Sequence, residues 1–468
     1  MAVTNLRITL ASLALVAMSG CTVGPDYHRP EVETPPAFKE ADGWRVAAPQ
    51  EVSRERWWSI YDDPLLDALE QQVEISNQNL KAAEAAYRQA TAFVGEARAA
   101  YYPTVTGSTS ALRANAGNAG AGSRSVLSLS TGASWEIDVW GKIRRSVESE
   151  VAGAQASAAD LAAARLSAQS LLAADYFQLR IDDELERLLN ETAEAYTLSV
   201  TIATNRYKAG TAAKSDVAAA QTQLESTRAQ AIAVGVQRAQ LEHAIAVLIG
   251  KPPSQFSIAR APLEIEVPNL PPGLPSALLE RRPDIASAER RVATANAQIG
   301  VAVAAYYPDI TLTASYGFVG SALDNLIRAS NAVWSVGPQL AGTIFDGGLR
   351  GAEVAAARAG YDQSVATYRQ TVLTSFQQTE DQLAALRILA EQAEVQDRAV
   401  VAARESEALT LNQYKAGTVA YTAVIVAQAQ ALQNRETSLN ILQNRLVASV
   451  SLIQALGGGW TASELPAL

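Results

Sequence analysis

The chain states one pattern twice, and that duplication constrains its fold more than anything else in it. Tyr101-Tyr102-Pro103 returns as Tyr306-Tyr307-Pro308, Asp138 at the close of an alternating segment returns as Asp346, and Tyr207-Lys208-Ala209-Gly210-Thr211 returns as Tyr414-Lys415-Ala416-Gly417-Thr418. The offsets are 205, 208 and 207 residues. Marks kept in one order at nearly one spacing indicate a tandem duplication of about 200 residues, longer than solenoid units, so each copy is a substantial half of one architecture. We place the repeats at 59–250 and 274–456, joined by a Pro-rich linker at 251–273 and followed by a tail at 457–468.

Inside each repeat the hydrophobic period changes. A helical pattern runs from residue 65 to 100, where Pro103 stops it, and the alignment sets Asn77-Gln78-Asn79-Leu80 against Arg282-Pro283-Asp284-Ile285. Alternation then predicts strands at about 103–113, 125–138, 308–319 and 333–346. Ile310, Leu312, Ala314, Tyr316 and Phe318 share one face; Leu127, Leu129, Thr131, Ala133, Trp135 and Ile137 another; Trp334, Val336, Leu340 and Ile344 a third; and Val105, Thr109 and Ala111 a fourth. Strands of this length can cross a bilayer when tilted, although a soluble sheet with one wet face would alternate in the same way. Small polar stretches at 115–125 and 320–331 read as surface loops. Four strands cannot close a barrel, and an open edge in lipid leaves backbone groups unpaired at several kcal/mol each. Spanning strands therefore require an oligomer, a dimer with eight strands or a trimer with twelve.

After each strand pair the pattern predicts a very long helix, 143–206 and 351–414, then a Lys-Ala-Gly turn and a return helix, 215–249 and onward to 456. The first stretch holds no Pro and only Gly153; if continuous it extends about 95 Å at 1.5 Å per residue, longer than any compact domain. Abundant Ala at periodic positions favours closely approaching helix pairs over a bulky interior.

Residues 1–20 read as a signal peptide: one charge at Arg7, an apolar run at 8–18 too short to span a bilayer as a helix, then Ser19-Gly20-Cys21. Cys21 is the only cysteine and is read as the acylation site of a bacterial lipoprotein, with Met18 where such signals more often carry Leu. Thr22 follows it, not Asp, which permits passage to the outer membrane. Residues 21–58, with five prolines, read as an extended tether. No later segment has 18 uncharged apolar residues.

A net charge of −10 argues against a nucleic-acid partner. His28 and His243 are the only histidines and no second Cys exists, so neither a metal site nor a nucleophile–base pair is expected, and no cofactor. Asp182, Asp183, Glu184 and Glu186 are read as a solvated helix face.

Taken together, the Cys21-Thr22-Val23-Gly24-Pro25-Asp26-Tyr27 opening, both Tyr-Tyr-Pro strand starts, Trp135-Glu136-Ile137-Asp138, both Tyr-Lys-Ala-Gly-Thr turns and Leu456-Gly457-Gly458-Gly459-Trp460 resemble the outer membrane factor family, the TolC-like channels of tripartite efflux pumps, in its lipoprotein branch. The resemblance implies a mainly α fold with a membrane β-barrel: a homotrimer whose twelve strands close one barrel and whose helices form a periplasmic tube with an equatorial collar. It implies a passive exit channel for drugs or other toxic small molecules. Its partners would be outer-membrane lipid, a periplasmic adaptor and an inner-membrane transporter of the resistance-nodulation-division type. Rival readings are the exit duct of a protein secretion system and a pore-less coiled-coil lipoprotein. The resemblance puts adaptor docking at Tyr207, Gly210, Thr211, Tyr414, Gly417 and Thr418; both glycines also suit a left-handed helix end. Asp216 matches an acidic position near the family's closed tip. Where many relatives place further acids, this chain has Ala423 and Val426 beside Tyr421 and Thr422, so Asp216, Tyr421, Thr422 and Val426 are expected to close the mouth by steric or apolar contact.

Overall fold

A computed structural model of the chain describes residues 22–40, 56–114, 123–263, 265–268 and 277–468. The signal segment and Cys21 lie outside the described residues, as do 41–55 of the tether and most of the first loop. In order, the elements are α1 (Pro64–Ser76), α2 (Gln78–Ala99), β1 (Thr104–Ala114), β2 (Arg124–Glu136), α3 (Lys142–Lys208), α4 (Lys214–Leu248), a single turn at Leu278–Arg281, α5 (Pro283–Ala304), β3 (Asp309–Gly320), β4 (Ala332–Ala341), α6 (Leu349–Ala416) and α7 (Tyr421–Ala455). The duplication extends to element length: α2 and α5 have 22 residues each, α4 and α7 have 35 each, and α3 and α6 have 67 and 68. At 1.5 Å per residue the two longest helices each run about 100 Å.

The helix expected over 65–100 is two helices. Asn77 breaks it: its backbone is extended, its Oδ1 accepts from the amides of Asn79 (2.9 Å) and Leu80 (3.1 Å), and its Nδ2 donates to the Leu248 carbonyl (2.8 Å). That is an N-cap in mid-pattern. The second repeat breaks at the aligned Arg282, where Pro283 opens α5 at a position that needs no amide donor.

The duplicated aspartates anchor the starts of the longest helices. Asp138 accepts from the amides of Ile143 (3.0 Å) and Arg144 (2.9 Å) and from the Arg144 guanidinium. Asp346 does the same for Gly348 and Arg350, and the Arg350 guanidinium, helped by the Gly348 amide, holds its carboxyl down at about 2.

All four strands form one antiparallel sheet in the order β1-β2-β3-β4, so the β2–β3 pairing, with Leu129 opposite Phe318 and Trp135 opposite Leu312, joins the two repeats. Because side chains alternate, the register decides the faces. Here it sets Leu129, Trp135, Leu312, Tyr316, Trp334 and Val336 on one face and stacks hydroxyls on the other, where Ser108–Ser130, Ser110–Ser128 and Ser315–Ser335 bond at 2.7–2.8 Å. The outer edges of β1 and β4 have no partner strand among the described residues. β4 ends at Ala341 and not near 346, because β3 begins at Asp309, opposite Ala341, and offers nothing further to pair with. Ile344, expected on that strand face, is 99% exposed beyond it.

Below the sheet, small residues let helices approach: Ala154, Ala159 and Ala173 of α3 and Ala297 of α5 are fully buried. The largest core gathers Trp57, Tyr61, Leu66, Tyr176, Phe177, Val372 and Leu446 at a mid-helix collar, and a separate small core lies at the helix turns. Among the described residues no helix is long and apolar enough to cross a membrane.

Two expectations are corrected at and above the collar. Residues 22–40 are extended but bound as a strap. The Val23 amide donates to the Trp140 carbonyl, Asn296 donates to the Pro25 carbonyl, and Glu380 accepts from the amides of Lys39 (2.7 Å) and Glu40 (2.9 Å). Arg145, its side chain 4% exposed, holds Val23, Gly24 and Asp26. The strap crosses α5 where Gly24 (φ +93°) meets Gly300; a side-chain carbon at Gly24 would lie 2.4 Å from the Gly300 Cα. Second, the acidic cluster is not a solvated face. Asp183 is buried between Arg180 (3.1 Å) and Arg238 (2.6 Å), whose guanidiniums also hold the linker carbonyls of Ala259 and Ile258. Glu184 pairs with Arg187 and Glu186 with Arg260. Two guanidiniums on neighbouring helices compensate the buried charge, which binds the linker across the first hairpin.

Candidate functional site

The far ends of the helical hairpins, about 100 Å along α3 and α6 from the strands, bring the expected tip residues together. Each turn closes in the same way. Gly210 (φ +73°) and Gly417 (φ +79°) are left-handed. The Thr211 amide and hydroxyl donate to the Arg206 carbonyl at 2.9 and 3.1 Å, and Thr418 repeats both bonds to Gln413 at 3.0 Å. Glycine removes the steric cost of that backbone, and the threonine satisfies a carbonyl the helix leaves open.

From there the two turns diverge. Tyr207 is 45% exposed, whereas its counterpart Tyr414 is 2% exposed and packs on Tyr421 with ring centroids 5.0 Å apart. Arg206 explains the difference. Its guanidinium lies 4.5 Å over the Tyr414 ring and donates to the Tyr414 carbonyl, so the first hairpin grips the second. A side chain at Gly417 would reach within 3.4 Å of that guanidinium, while the same carbon at Gly210 meets nothing. Asp216 accepts from the Tyr414 hydroxyl at 3.4 Å, and two turns up α7 Gln428 donates to Ser199. Burial and the Asp216 charge raise the Tyr414 phenol, and burial pushes Tyr421 up to about 12. Both rings thus stay neutral packing surfaces.

Of the residues expected to close the mouth, Tyr421 is buried within the protomer, packed against Tyr414. Thr422, Ala423 and Val426 are exposed on α7, and Asp216 is half-buried. Arg206 was missed. Its signal is the residue that separates two otherwise matching turns, Asn205-Arg206-Tyr207 against Asn412-Gln413-Tyr414. Among the described residues no group of three or more His, Cys, Asp or Glu side chains is placed to hold a metal ion.

A sequence profile of the outer membrane efflux protein family matches residues 69–251 and 274–458, one match to each repeat. The chain belongs to this family. It is 29% identical over 450 residues to the cation efflux system protein CusC of Escherichia coli, spanning 95% of this chain and 97% of that one. It is 30% identical over 470 residues to the probable efflux pump outer membrane protein TtgC of Pseudomonas putida, spanning 97% and 96%. Its fold matches the solved outer-membrane channel OprN with a TM-score of 0.88 at 28% identity, over 94% of this chain and 100% of that chain. The expected fold class stands: long helical hairpins carrying an outer-membrane β-sheet, duplicated in tandem. As a member of the outer membrane efflux protein family, the chain is an efflux exit channel of the Gram-negative outer membrane.

Proposed function

We propose that three copies assemble into one twelve-stranded barrel continued by a periplasmic helical tube, and that this duct passively exports small toxic compounds. The carrying observation is the four-stranded sheet, apolar on one face and hydroxyl-lined on the other, with neither edge paired among the described residues. Such a sheet suits lipid outside and water inside only when its edges close on other copies. Exposed apolar residues along the hairpins, including Ile232 and Val236 of α4 and Val395 and Val401 of α6, supply surface for neighbours in the tube.

Cys21 carries the lipid anchor in this reading. Thr22 rests against Gly141 beside Trp140, just beyond the strand exits, which supports an anchor near the membrane surface. At the other end, Tyr207, Gly210 and Thr211 with Gly417 and Thr418 form an exposed rim that receives a periplasmic adaptor, which couples the duct to an inner-membrane transporter of the resistance-nodulation-division type. Relatives named for cation efflux and for toluene or antibiotic efflux match this chain about equally, so the likeness extends across cargo of unlike chemistry. The barrel does no covalent chemistry.

Reconstitution tests the reading. Detergent-solubilised full-length protein is expected to run as a heat-modifiable trimer and to conduct in planar bilayers. A monomer without conductance would refute it in favour of a pore-less spacer.

A further inference from the structure

The tip inverts the sign of the whole molecule. The chain carries a net charge of −10, yet residues 195–224 hold Arg206, Lys208, Lys214 and Asp216 as their only charges, and residues 408–434 hold Lys415 alone. Arg206 and Asp216 are turned inward onto Tyr414. The side chains left in solvent are Lys208, Lys214 and Lys415. The next carboxylate up α6 is Glu407, eight residues from Lys415 or about 12 Å along the axis, beyond the ~10 Å over which salt screens exposed charges at 0.1 M.

We propose that the inward mouth of the channel selects for anions, concentrating cargo that bears carboxylate, sulfonate or phosphate groups and disfavouring cations. The proposal rests on the tip being the mouth of a trimeric duct, as proposed above. In that assembly nine lysines ring the opening. They act through their summed field, so no lysine has to point into the pore: a mouth of one sign, walled by low-dielectric helices, raises the local concentration of counter-ions about tenfold or more at low salt. Downstream, the carboxylates on the hydroxyl face of the sheet are Glu136 and Asp309 at the strand ends, both paired with Lys142 at 3.3 Å. The hydroxyl face of β2 is uncharged from Ser128 to Ser134, and that of β3 from Thr311 to Val319. Rings of charge at a pore mouth set its selectivity, and the exposed charges of this tip are lysines.

Full-length trimer in planar bilayers under a tenfold KCl gradient tests this. The reversal potential is expected to report chloride permeability above potassium. The preference should collapse between 0.1 M and 1 M salt, as the screening length falls from ~10 to ~3 Å. The triple variant K208E/K214E/K415E is expected to shift the permeability ratio about tenfold toward potassium. Lys81→Glu is expected to leave it unchanged, since Lys81 follows the Asn77 cap that bonds Leu248, at the opposite end of the 35-residue α4 from the tip. Lys→Gln versions of the three tip residues give the same direction at smaller size if charge reversal blocks assembly. Potassium preference in the unmodified channel, or a reversal potential that the tip variants leave in place, would overturn the proposal. Absence of any conductance would overturn the channel reading beneath it.

Discussion

Removing the Arg206 head group should loosen the tip by an amount the structure lets us work out. In Arg206→Met the aliphatic stem stays, while two contacts of the guanidinium are lost. One is its position over the Tyr414 ring at 4.5 Å, worth about 1 kcal/mol; the other is its bond to the Tyr414 carbonyl, worth about 1.5–3 kcal/mol for a charged donor. Arg206 is only half-buried, so solvent screening brings the total to about 2 kcal/mol. If the two hairpins must part for the mouth to open, that is a shift of about 30-fold in the closed-to-open ratio. Tyr414→Phe deletes only the long bond to Asp216 and is expected to shift the same ratio by a few-fold at most. Single-channel open probability and influx of a large antibiotic into intact cells should both rise in the order wild type, Tyr414→Phe, Arg206→Met, at normal trimer yield. If Arg206→Met leaves both readouts at the wild-type value while trimers and far-UV circular dichroism are normal, the grip between the hairpins does not hold the mouth closed.

The strap offers an independent test: in Gly300→Val the new side-chain carbon falls 2.7 Å from Cγ of Arg145, the residue that holds Val23, Gly24 and Asp26, so residues 22–40 should detach and Lys39 should become a tryptic site, with lipid labelling retained. Arginine at Leu129 or Leu312, on the apolar face of the sheet, should cost about 2–4 kcal/mol at mid-bilayer and deplete trimers, whereas Arg at Ser130 or Thr313 should be milder; equal tolerance would defeat the assignment of faces. Glu70 in α1 is fully buried with both carboxyl oxygens unpartnered, and burial, with Glu74 nearby, raises its pKa well above the ordinary value. Its folded pKa exceeds its unfolded pKa of about 4.3, so stability is fully present below that pH and falls as pH rises toward the folded value. Glu70→Gln should therefore match the wild type in melting temperature near pH 4 and exceed it at pH 7–8; parallel pH profiles would place a partner on Glu70. Finally, Gly210→Val, where a side chain meets no neighbour but the backbone is left-handed, should weaken adaptor cross-linking without lowering trimer yield.

Local rules sufficed wherever one stretch of chain decides its own conformation. An unbroken run without proline becomes a 67-residue helix and a glycine turn ends it, so α3, α6 and both turns were legible from residue order alone. The duplication was legible for the same reason, since copied segments keep copied local preferences. What needed the folded chain was every choice between partners far apart in sequence. Alternation marked faces on each strand, but only the β2–β3 register put Leu129 beside Phe318 and so made one apolar surface from two repeats. Proline-rich composition described an extended strap without revealing that Gly24 touches Gly300, about 275 residues away. A run of acids read as solvated, because the arginine that helps bury Asp183 lies 55 residues further on. Arg206 and Gln413 differ by one residue in matching turns, and only the packing of one hairpin on the other turns that difference into a grip on Tyr414. Backbone preference is local and survives in the sequence; burial, pairing and compensation of charge are set by neighbours that the fold brings together.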